Sequence, residues 1–225
     1  MAHLAAKLQL RGAAPLVERF RQDPDTDIYS FMAEQAGIER KKAKVVFLGL
    51  SYGMGKGKLA TQLGCTPDEA AALVAKFNEN VPFVAELMEG VQRRVHERGF
   101  VKTILGRICR FDTWEPARRQ DTWEAPLPRA AAAAKWPGQA LKRAWAYKGL
   151  NRVIQGGAAD QTKKALLDLW KQGIVPMLQV HDELCVSVET REQAEVVRET
   201  MVHAVELDVP TKVDLEIGPS WGEAK

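Results

Sequence analysis

Two cations, an aliphatic residue and an aromatic residue recur at intervals of four in one segment. They are Arg40, Lys44, Leu48 and Tyr52. On a helix an interval of four advances a side chain by about 40°, so these positions form a slowly turning stripe about 18 Å long. Arg meets phosphate with a planar fork and Lys with a point charge, and a flat ring suits a base. The stripe predicts a nucleoside triphosphate site; the alternative is an amphipathic core helix with incidental basic residues.

Two adjacent carboxylates, Asp182 and Glu183, follow His181 inside the apolar stretch 177–186. Carboxylates in a buried strand are costly unless they are paired or bind a cation. Mg²⁺ prefers one or two carboxylates together with phosphate oxygens. The segment therefore predicts a Mg²⁺ site suited to phosphoryl transfer. The alternative is a surface hairpin tip at which His181 and Glu183 are solvated.

A third polar segment begins at Asn151. Asn151 and Gln155 are four residues apart on a predicted helix, and their amides suit base edges or sugar oxygens. The small residues at 156–159 permit close packing against DNA or against another helix. Taken alone, this segment is equally explained by ordinary helix packing.

The whole chain sets bounds on these sites. It has 225 residues, of which 46% are hydrophobic and 27% charged, and its formal net charge of +3 permits a nucleic-acid partner without requiring one. Three separated cysteines favour a reducing cytoplasm. No apolar run of about 18 residues and no signal peptide are found, so no membrane partner is expected.

The elements that must position the three segments form an α+β pattern: mainly helices, with a small antiparallel sheet near the end. Helices are predicted over residues 2–13, on both sides of a loop at 23–27, and over 38–52, 66–78, 83–98, 150–171 and 190–206. A hairpin is predicted at 100–111, paired strands within 175–188 and a strand at 211–217. Residues 113–146, which hold four tryptophans and four prolines, are interpreted as an insertion without a predicted structure.

The three segments together resemble the family-A DNA polymerases, and the phage branch looks closest. The stripe with Gly49 and Gly53 resembles that family's nucleotide-binding helix, and 181–183 resembles its third catalytic motif. Residues 150–160 are similar to the preceding helix. Lesser similarities lie at 27–29, at the hairpin 103–107 and at the terminal 217–222. The resemblance covers nearly the whole chain in order.

The resemblance implies the fold, the roles and the reaction, which is DNA synthesis from dNTPs. It implies a polymerase right-hand fold without thumb or first palm strand: palm-associated residues 1–22, helical fingers at 23–148 and C-terminal palm at 149–225. Its implied dNTP-binding residues are Arg40, Lys44, Leu48, Tyr52 and Tyr29. Its implied DNA-binding residues are Asn151, Arg152, Gln155, His181 and Arg107. Asp182 and Glu183 would be catalytic and would hold Mg²⁺ in a two-metal site.

The sequence departs from the family pattern at several positions. Leu48 stands where Phe or Tyr is usual, which puts discrimination of the nucleotide sugar in doubt. Tyr29 stands where bacterial relatives often have His, and Tyr147 where Arg is common. The aspartate motif that precedes a segment like 1–4 in the family is not in this sequence. We therefore expect a split or truncated polymerase. An N-terminal polypeptide that supplies the thumb and the other catalytic Asp would complete it. If the gene is phage-encoded, the expected location is the cytoplasm of a bacterial host.

Two alternatives stay open at this point. The chain could be a non-catalytic DNA- or nucleotide-binding remnant. It could also be part of a single-subunit RNA polymerase, which has a similar helix and His-Asp motif, although Glu183 after that motif favours the DNA enzyme.

Overall fold

Helices form most of the molecule, which a computed structural model describes at residues 1–118 and 124–224. The helices of these residues are α1 (Ala2–Lys7), α2 (Ala14–Gln22), α3 (Ile28–Ala36), α4 (Arg40–Ser51), α5 (Lys56–Leu63), α6 (Pro67–Asn80), α7 (Pro82–Arg98), α8 (Arg129–Lys135), α9 (Gly149–Lys171) and α10 (Arg191–Val202). The α+β class predicted from sequence is confirmed, since the strands are short and pair antiparallel.

The strands form three small sheets. They are β1 (Phe100–Lys102), β2 (Ile108–Arg110), β3 (Thr113–Pro116), β4 (Leu127–Pro128), β5 (Leu141–Arg143), β6 (Leu178–Val180) and β7 (Glu183–Cys185). β1 pairs with β2 and β6 with β7, while β3 lies between β4 and β5. Both predicted hairpins are therefore confirmed, each between consecutive strands.

The main hydrophobic core lies among the first seven helices. Its fully buried members include Leu16, Met32, Val46, Phe77 and Phe83. α6 begins with a capping box, because Thr66 and Glu69 exchange hydrogen bonds at the helix start. The core fixes α3 against α4 and thereby sets the orientation of the basic stripe.

A smaller core joins α7 to the hairpin β1–β2 and to α9. Val95, Val101 and Phe111 are buried there, and Val153 of α9 packs against them. Gly156 brings α9 close to the hairpin, because a Cβ at this position would lie 2.5 Å from Thr103 Cγ2. Gly156 and Gly157 thus pack within this chain, against the hairpin rather than against DNA or another helix.

The segment 113–146, for which no structure was predicted, is folded in its described part. β3, β4 and β5 form a sheet, and α8 packs on it. Trp114 lies between two cations, with Arg129 Cζ 5.1 Å and Arg143 Cζ 4.6 Å from its ring centroid. Arg143 also donates to the carbonyl of Phe111 at 2.9 Å and lies against Gly99, so it fastens the insertion to the end of α7. Trp123 lies outside the described residues.

Two further predictions from sequence are wrong. The first helix ends at Lys7 rather than near Gly12, because the chain turns through left-handed conformations at Gln9 and Gly12. Residues 211–216 alternate in exposure as a strand would, but no strand is formed over 211–217. Alternating exposure of side chains shows only that one face of the segment is covered. A strand also needs a neighbouring backbone with which to pair.

Candidate functional site

The basic end of the stripe is built around Asp27. Asp27 caps α3 by accepting from the backbone N–H groups of Tyr29 and Ser30, each at 3.2 Å. The same carboxylate accepts from Arg40 Nε at 2.5 Å. The hydrogen bond from Arg40 holds the pKa of Asp27 well below its usual range, although partial burial opposes it. One carboxylate thus starts α3 and orients the first cation of α4.

Tyr29 joins the two cations of the stripe. Arg40 Cζ lies 5.8 Å and Lys44 Nζ 5.3 Å from the centroid of its ring, both within the range of a cation–π contact. The ring meets Phe47 edge-on at a centroid separation of 5.9 Å, which ties it to the core. The exposed Arg40 and Lys44 are therefore held on one surface by a ring that the core supports.

The apolar end of the stripe is less exposed at Leu48 than at Tyr52. Leu48 packs in part against the main core, whereas the side chain of Tyr52 is 49% exposed. A cavity of about 640 Å³ lies beside the start of α4. Arg40 lines it, but no other residue of the stripe does. The open surface along α4, rather than this cavity, is the candidate nucleotide site.

Gly53 allows a close approach, but by this chain itself. Its φ is +66°, and a Cβ would lie 2.1 Å from Cδ2 of Tyr147. The ring of Tyr147 therefore covers the backbone that follows Tyr52. Tyr147 therefore occupies the space that the absence of a Cβ at Gly53 leaves open.

The predicted carboxylates lie at a hairpin turn. Val180 pairs with Glu183, so His181 and Asp182 form a two-residue turn, with His181 in the left-handed region at φ 54°. Asp182 and Glu183 are both exposed. The expectation of buried carboxylates is wrong, since β6 and β7 form a two-stranded sheet whose tip faces solvent. Asp182 has no hydrogen-bond or ion-pair partner within residues 1–118 and 124–224.

Glu183 is partly engaged by its neighbours. Its Oε1 accepts from Nε1 of Trp221 at 2.7 Å and from Sγ of Cys185 at 3.6 Å. Burial, with Glu183 adding to it, raises the pKa of the Cys185 thiol. The described residues contain no group of three or more His, Cys, Asp or Glu arranged to hold a metal. Two exposed carboxylates at one turn nevertheless suit Mg²⁺, which takes one or two from the protein and further oxygens from phosphate and water.

The predicted DNA-contacting residues divide into two groups. Arg152, Gln155 and His181 are exposed, and Asn151 is partly exposed; none of the four side chains has a hydrogen-bond partner in the part of the chain that the structure describes. Arg107, in contrast, bonds the carboxylate of Asp160 and donates to the carbonyl of Gly156 at 2.8 Å. Arg107 thus already holds the hairpin turn against α9.

Asp160, the partner of Arg107, is buried, with a relative exposure of 2%. It also accepts from the N–H of Leu105 at 3.0 Å. Burial raises the pKa of Asp160, but hydrogen bonds from Thr103, Leu105 and Arg107 together outweigh it, and the pKa lies below its usual value.

Sequence reasoning missed two residues of the site. Asp27 was noticed only as part of a resembling segment, although an Asp directly before a helix is a typical N-cap. Trp221 was likewise noticed only as part of the resembling segment 217–222, and no local pattern indicated that it donates to Glu183 from 38 residues away.

Comparison with known proteins identifies the family of the chain. The chain matches DNA polymerase family A over residues 1–223. It belongs to this family. A DNA-directed DNA polymerase of Pseudomonas phage M6 is 33% identical over 92% of this chain and 33% of that relative. DNA polymerase I of Pseudomonas aeruginosa is 31% identical over 100% of the chain and 23% of that relative.

A solved structure extends the similarity to three dimensions. The polymerase domain of Pol1 from M. smegmatis, in complex with DNA primer-template and dNTP, aligns with a TM-score of 0.70 and 28% sequence identity. The alignment covers 98% of this chain and 38% of that chain. The chain thus spans about a third or less of the length of the curated relatives named above. No helix among the described residues is long and apolar enough to cross a membrane.

Proposed function

We propose that this chain carries the nucleotide-binding helix and a metal-binding carboxylate of a template-directed DNA polymerase. In the reaction the primer 3′-hydroxyl oxygen bonds to the α-phosphorus of a dNTP, and the bond from that phosphorus to pyrophosphate breaks. The observation that carries the proposal is the cluster of Arg40, Lys44 and Tyr29 at the start of α4. Membership of DNA polymerase family A supports it.

The nucleotide lies along α4 with its triphosphate at the basic end. Arg40 is held by Asp27 through Nε, which leaves the terminal nitrogens of its guanidinium for phosphate oxygens. Lys44 adds a second charge one turn further along the helix. Tyr52 and Leu48 then face the base and the sugar. Leu48 gives this wall less area than an aromatic ring would, so sugar discrimination is expected to be weaker than with Phe or Tyr.

Asp182 holds Mg²⁺ in this proposal, and Glu183 assists from the adjacent position. The exposed, unpartnered carboxylate of Asp182 at the hairpin tip supports this assignment among the described residues. When bound, the metal would stabilise the charge that develops on phosphate oxygens. Trp221 holds the Glu183 carboxylate through its N–H.

The primer-template is contacted by Asn151, Arg152, Gln155 and His181. Their unpartnered polar groups, within the described ranges, support this part of the proposal. We assign Arg107 a weaker contact with the primer-template, because Asp160 and Gly156 already engage its guanidinium. Its exposed edge can still meet a phosphate.

We further propose that a second polypeptide, carrying thumb and palm segments with the other catalytic Asp, completes the enzyme. A two-metal site needs more carboxylate ligands than the one turn at Asp182 and Glu183 offers. Beside this turn, a cavity of about 540 Å³ that is lined by both apolar and polar residues lies between the hairpin, α10 and residues 213–221. Met177 and Ile217 at its edge are 74% and 46% exposed. Such a surface suits burial by another palm segment.

Primer extension tests both parts of the proposal. The chain is assayed with Mg²⁺, dNTPs and a primer-template, alone and together with the product of the upstream reading frame. Extension that requires both polypeptides and is lost in Asp182→Asn is the expected result. Extension by the chain alone would contradict the second polypeptide, but not the polymerase assignment.

Two other outcomes would overturn the polymerase assignment. Extension by neither preparation, with salt-sensitive DNA binding that Asp182→Ala leaves unchanged, would identify a binding module without catalysis. A preference for rNTPs over dNTPs would instead favour an RNA polymerase.

A further inference from the structure

Asp160, in the middle of α9, has no role in the proposed function. It is 2% exposed, and it is the one charged side chain among the buried residues that the structure describes. A carboxylate at this depth is costly unless it is fully paired. A buried ion pair often stabilises a fold no better than apolar residues of the same size would. The charge of Asp160 therefore needs an explanation other than stability.

Both oxygens of Asp160 face the turn of the β1–β2 hairpin, residues 103–107. Oδ2 accepts from the N–H of Leu105 at 3.0 Å, and Oδ1 accepts from Nε of Arg107. The turn also packs closely on α9 where Thr103 meets Gly156. The turn is thus attached to α9 at two places that do not involve the guanidinium of Arg107.

The guanidinium of Arg107 is held from two sides. Its Nε donates to Asp160, and its Nη2 donates to the carbonyl of Gly156 at 2.8 Å. Because the group is planar, two bonds of this kind fix the direction of its remaining N–H groups. Nη1 has no partner within residues 1–118 and 124–224, and the side chain is 47% exposed. Arg107 therefore presents free donors to solvent in a fixed direction.

The same construction occurs at the start of α4. There, Asp27 accepts from Nε of Arg40 and leaves the terminal nitrogens of that side chain free. The two acids differ in burial, since the side chain of Asp27 is 34% exposed and that of Asp160 is 2% exposed. A guanidinium whose fork is directed outwards suits a phosphate group, and in the proposed function the anion that meets this chain besides dNTP is the DNA backbone.

We propose that Asp160 is a positioning residue, which directs the guanidinium of Arg107 so that Nη1 donates to a backbone phosphate of the primer-template. This inference rests on the proposed function for its ligand. It assigns a role to a buried residue that touches no DNA itself. The contact adds affinity without sequence preference, as phosphate contacts do.

The test measures binding of a labelled primer-template by the full chain, using fluorescence anisotropy at several KCl concentrations. Arg107→Ala should weaken binding by about 10-fold, the lower end for one charged hydrogen bond. It should also reduce the slope of log K against log salt by about one. Asp160→Asn should reproduce most of both changes. The double variant should bind no more weakly than Arg107→Ala, because the two residues act through one contact.

The sign of the effect separates direction from charge. Asp160→Asn removes a negative charge beside the DNA site, and this change alone would strengthen the binding of a polyanion. Weaker binding by the variant therefore reports a guanidinium that has lost its direction. The amide oxygen of Asn still accepts from the N–H of Leu105, so the turn keeps one of its attachments.

Matched variants control for charge and for folding. Arg107→Lys keeps the positive charge but lacks Nε and the fork, so it should lose most of the affinity. Asp168→Asn makes the same change of acid to amide on the same helix, at an acid that pairs with Lys164 instead, and should not weaken binding. Arg110→Ala removes an exposed cation from the same hairpin, at the end away from the turn, and should change the salt slope less than Arg107→Ala does.

The inference is overturned if Asp160→Asn, folded by circular dichroism, binds DNA as tightly as wild type or more tightly. If that variant does not fold, Arg107→Lys decides, since affinity equal to wild type would show that charge without direction suffices. Unchanged binding by Arg107→Ala would remove the phosphate contact altogether. Each of these results is compatible with Asp182-dependent extension, whereas absence of extension in both preparations would overturn the proposed function.

Discussion

The start of α4 and the turn between β6 and β7 carry opposite charges and are built in opposite ways. At α4 the cations are oriented before any ligand arrives, since Asp27 holds Arg40 and Tyr29 lies against Arg40 and Lys44. At the turn, Asp182 has no partner among the described residues and lies on a two-stranded sheet. The first region is preorganised by its own chain, whereas the second, in the proposed function, would acquire its geometry from the metal and substrate.

This difference follows from the chemistry of the two groups. Cations beside an aromatic ring and a single carboxylate are stable in water, so they can be assembled in advance. Several carboxylates brought together without a metal repel one another. A site that joins its carboxylates only on assembly with metal and substrate avoids that repulsion.

The largest effect is expected at the turn between β6 and β7. Asp182→Asn should lower extension by the completed enzyme by about 1000-fold or more, because a metal that stabilises transition-state charge contributes several kcal/mol. DNA binding should change little, since in the proposed function this residue holds metal rather than DNA. Single-turnover extension and DNA anisotropy measure the two quantities. Glu206→Gln, an exposed acid without an ion pair among the described residues, is the control and should match wild type.

A smaller effect is expected at the start of α4. Lys44→Ala should lower kcat/KM for dNTP by about 10- to 100-fold, which corresponds to one charged hydrogen bond of about 1.5–3 kcal/mol. Steady-state extension at varied dNTP measures it. Lys42→Ala removes the same charge from the opposite side of α4 and should have little effect. Equal losses of dNTP use and DNA binding in Lys44→Ala would remove Lys44 from the triphosphate site.

The preorganisation itself can be tested at Asp27. Asp27→Ala should lower the free energy of unfolding by about 1 kcal/mol through loss of the cap of α3 and should also raise KM for dNTP, because Arg40 loses its anchor. Thr66→Ala removes a cap of α6 at similar cost but touches no cation of the stripe. Urea unfolding and dNTP titration of both variants give the comparison. If Asp27→Ala changed stability alone, Arg40 would not need its anchor.

The smallest effect is expected away from both regions, at the contact between α1 and the segment that follows α10. His3 accepts from the N–H of Asp208 at 3.1 Å, and burial lowers its pKa, against the carboxylate of Asp208 that favours the charged ring. The unfolded chain therefore takes up the proton first as pH falls through the ordinary value of about 6.5. Stability should be highest above that pH and decline below it. Urea unfolding across about pH 5–7 should show this slope in wild type and a smaller one in His3→Asn.

Local patterns predicted much of this molecule. The capping box at Thr66, the glycine that ends α7 at Gly99 and both hairpins follow from residues close together in sequence. The stripe on α4 was predicted in the same way, because helical spacing alone places its members on one face. The roles of these residues remain predictions that the experiments above address.

Contacts between distant residues could not be predicted from sequence patterns. The spacing around Gly53 gives no sign that Tyr147 fills the space beside it, and nothing near Arg143 indicates that it lies against Gly99. The exposure of Asp182 and Glu183 depends on how many strands join their sheet. Residues 211–217 show the same limit, since alternation cannot supply a pairing partner.

The hydrogen bond between His3 and Asp208 also bears on the order of folding. It spans 205 residues, and the entropy of closing such a loop costs about 3 kcal/mol more than that of closing a ten-residue loop. The contacts of α3 with α4 and of β1 with β2 need only short loops. We therefore expect the helical hairpins and strand pairs to form early and the segment near Asp208 to dock onto α1 late, as a slow step in refolding.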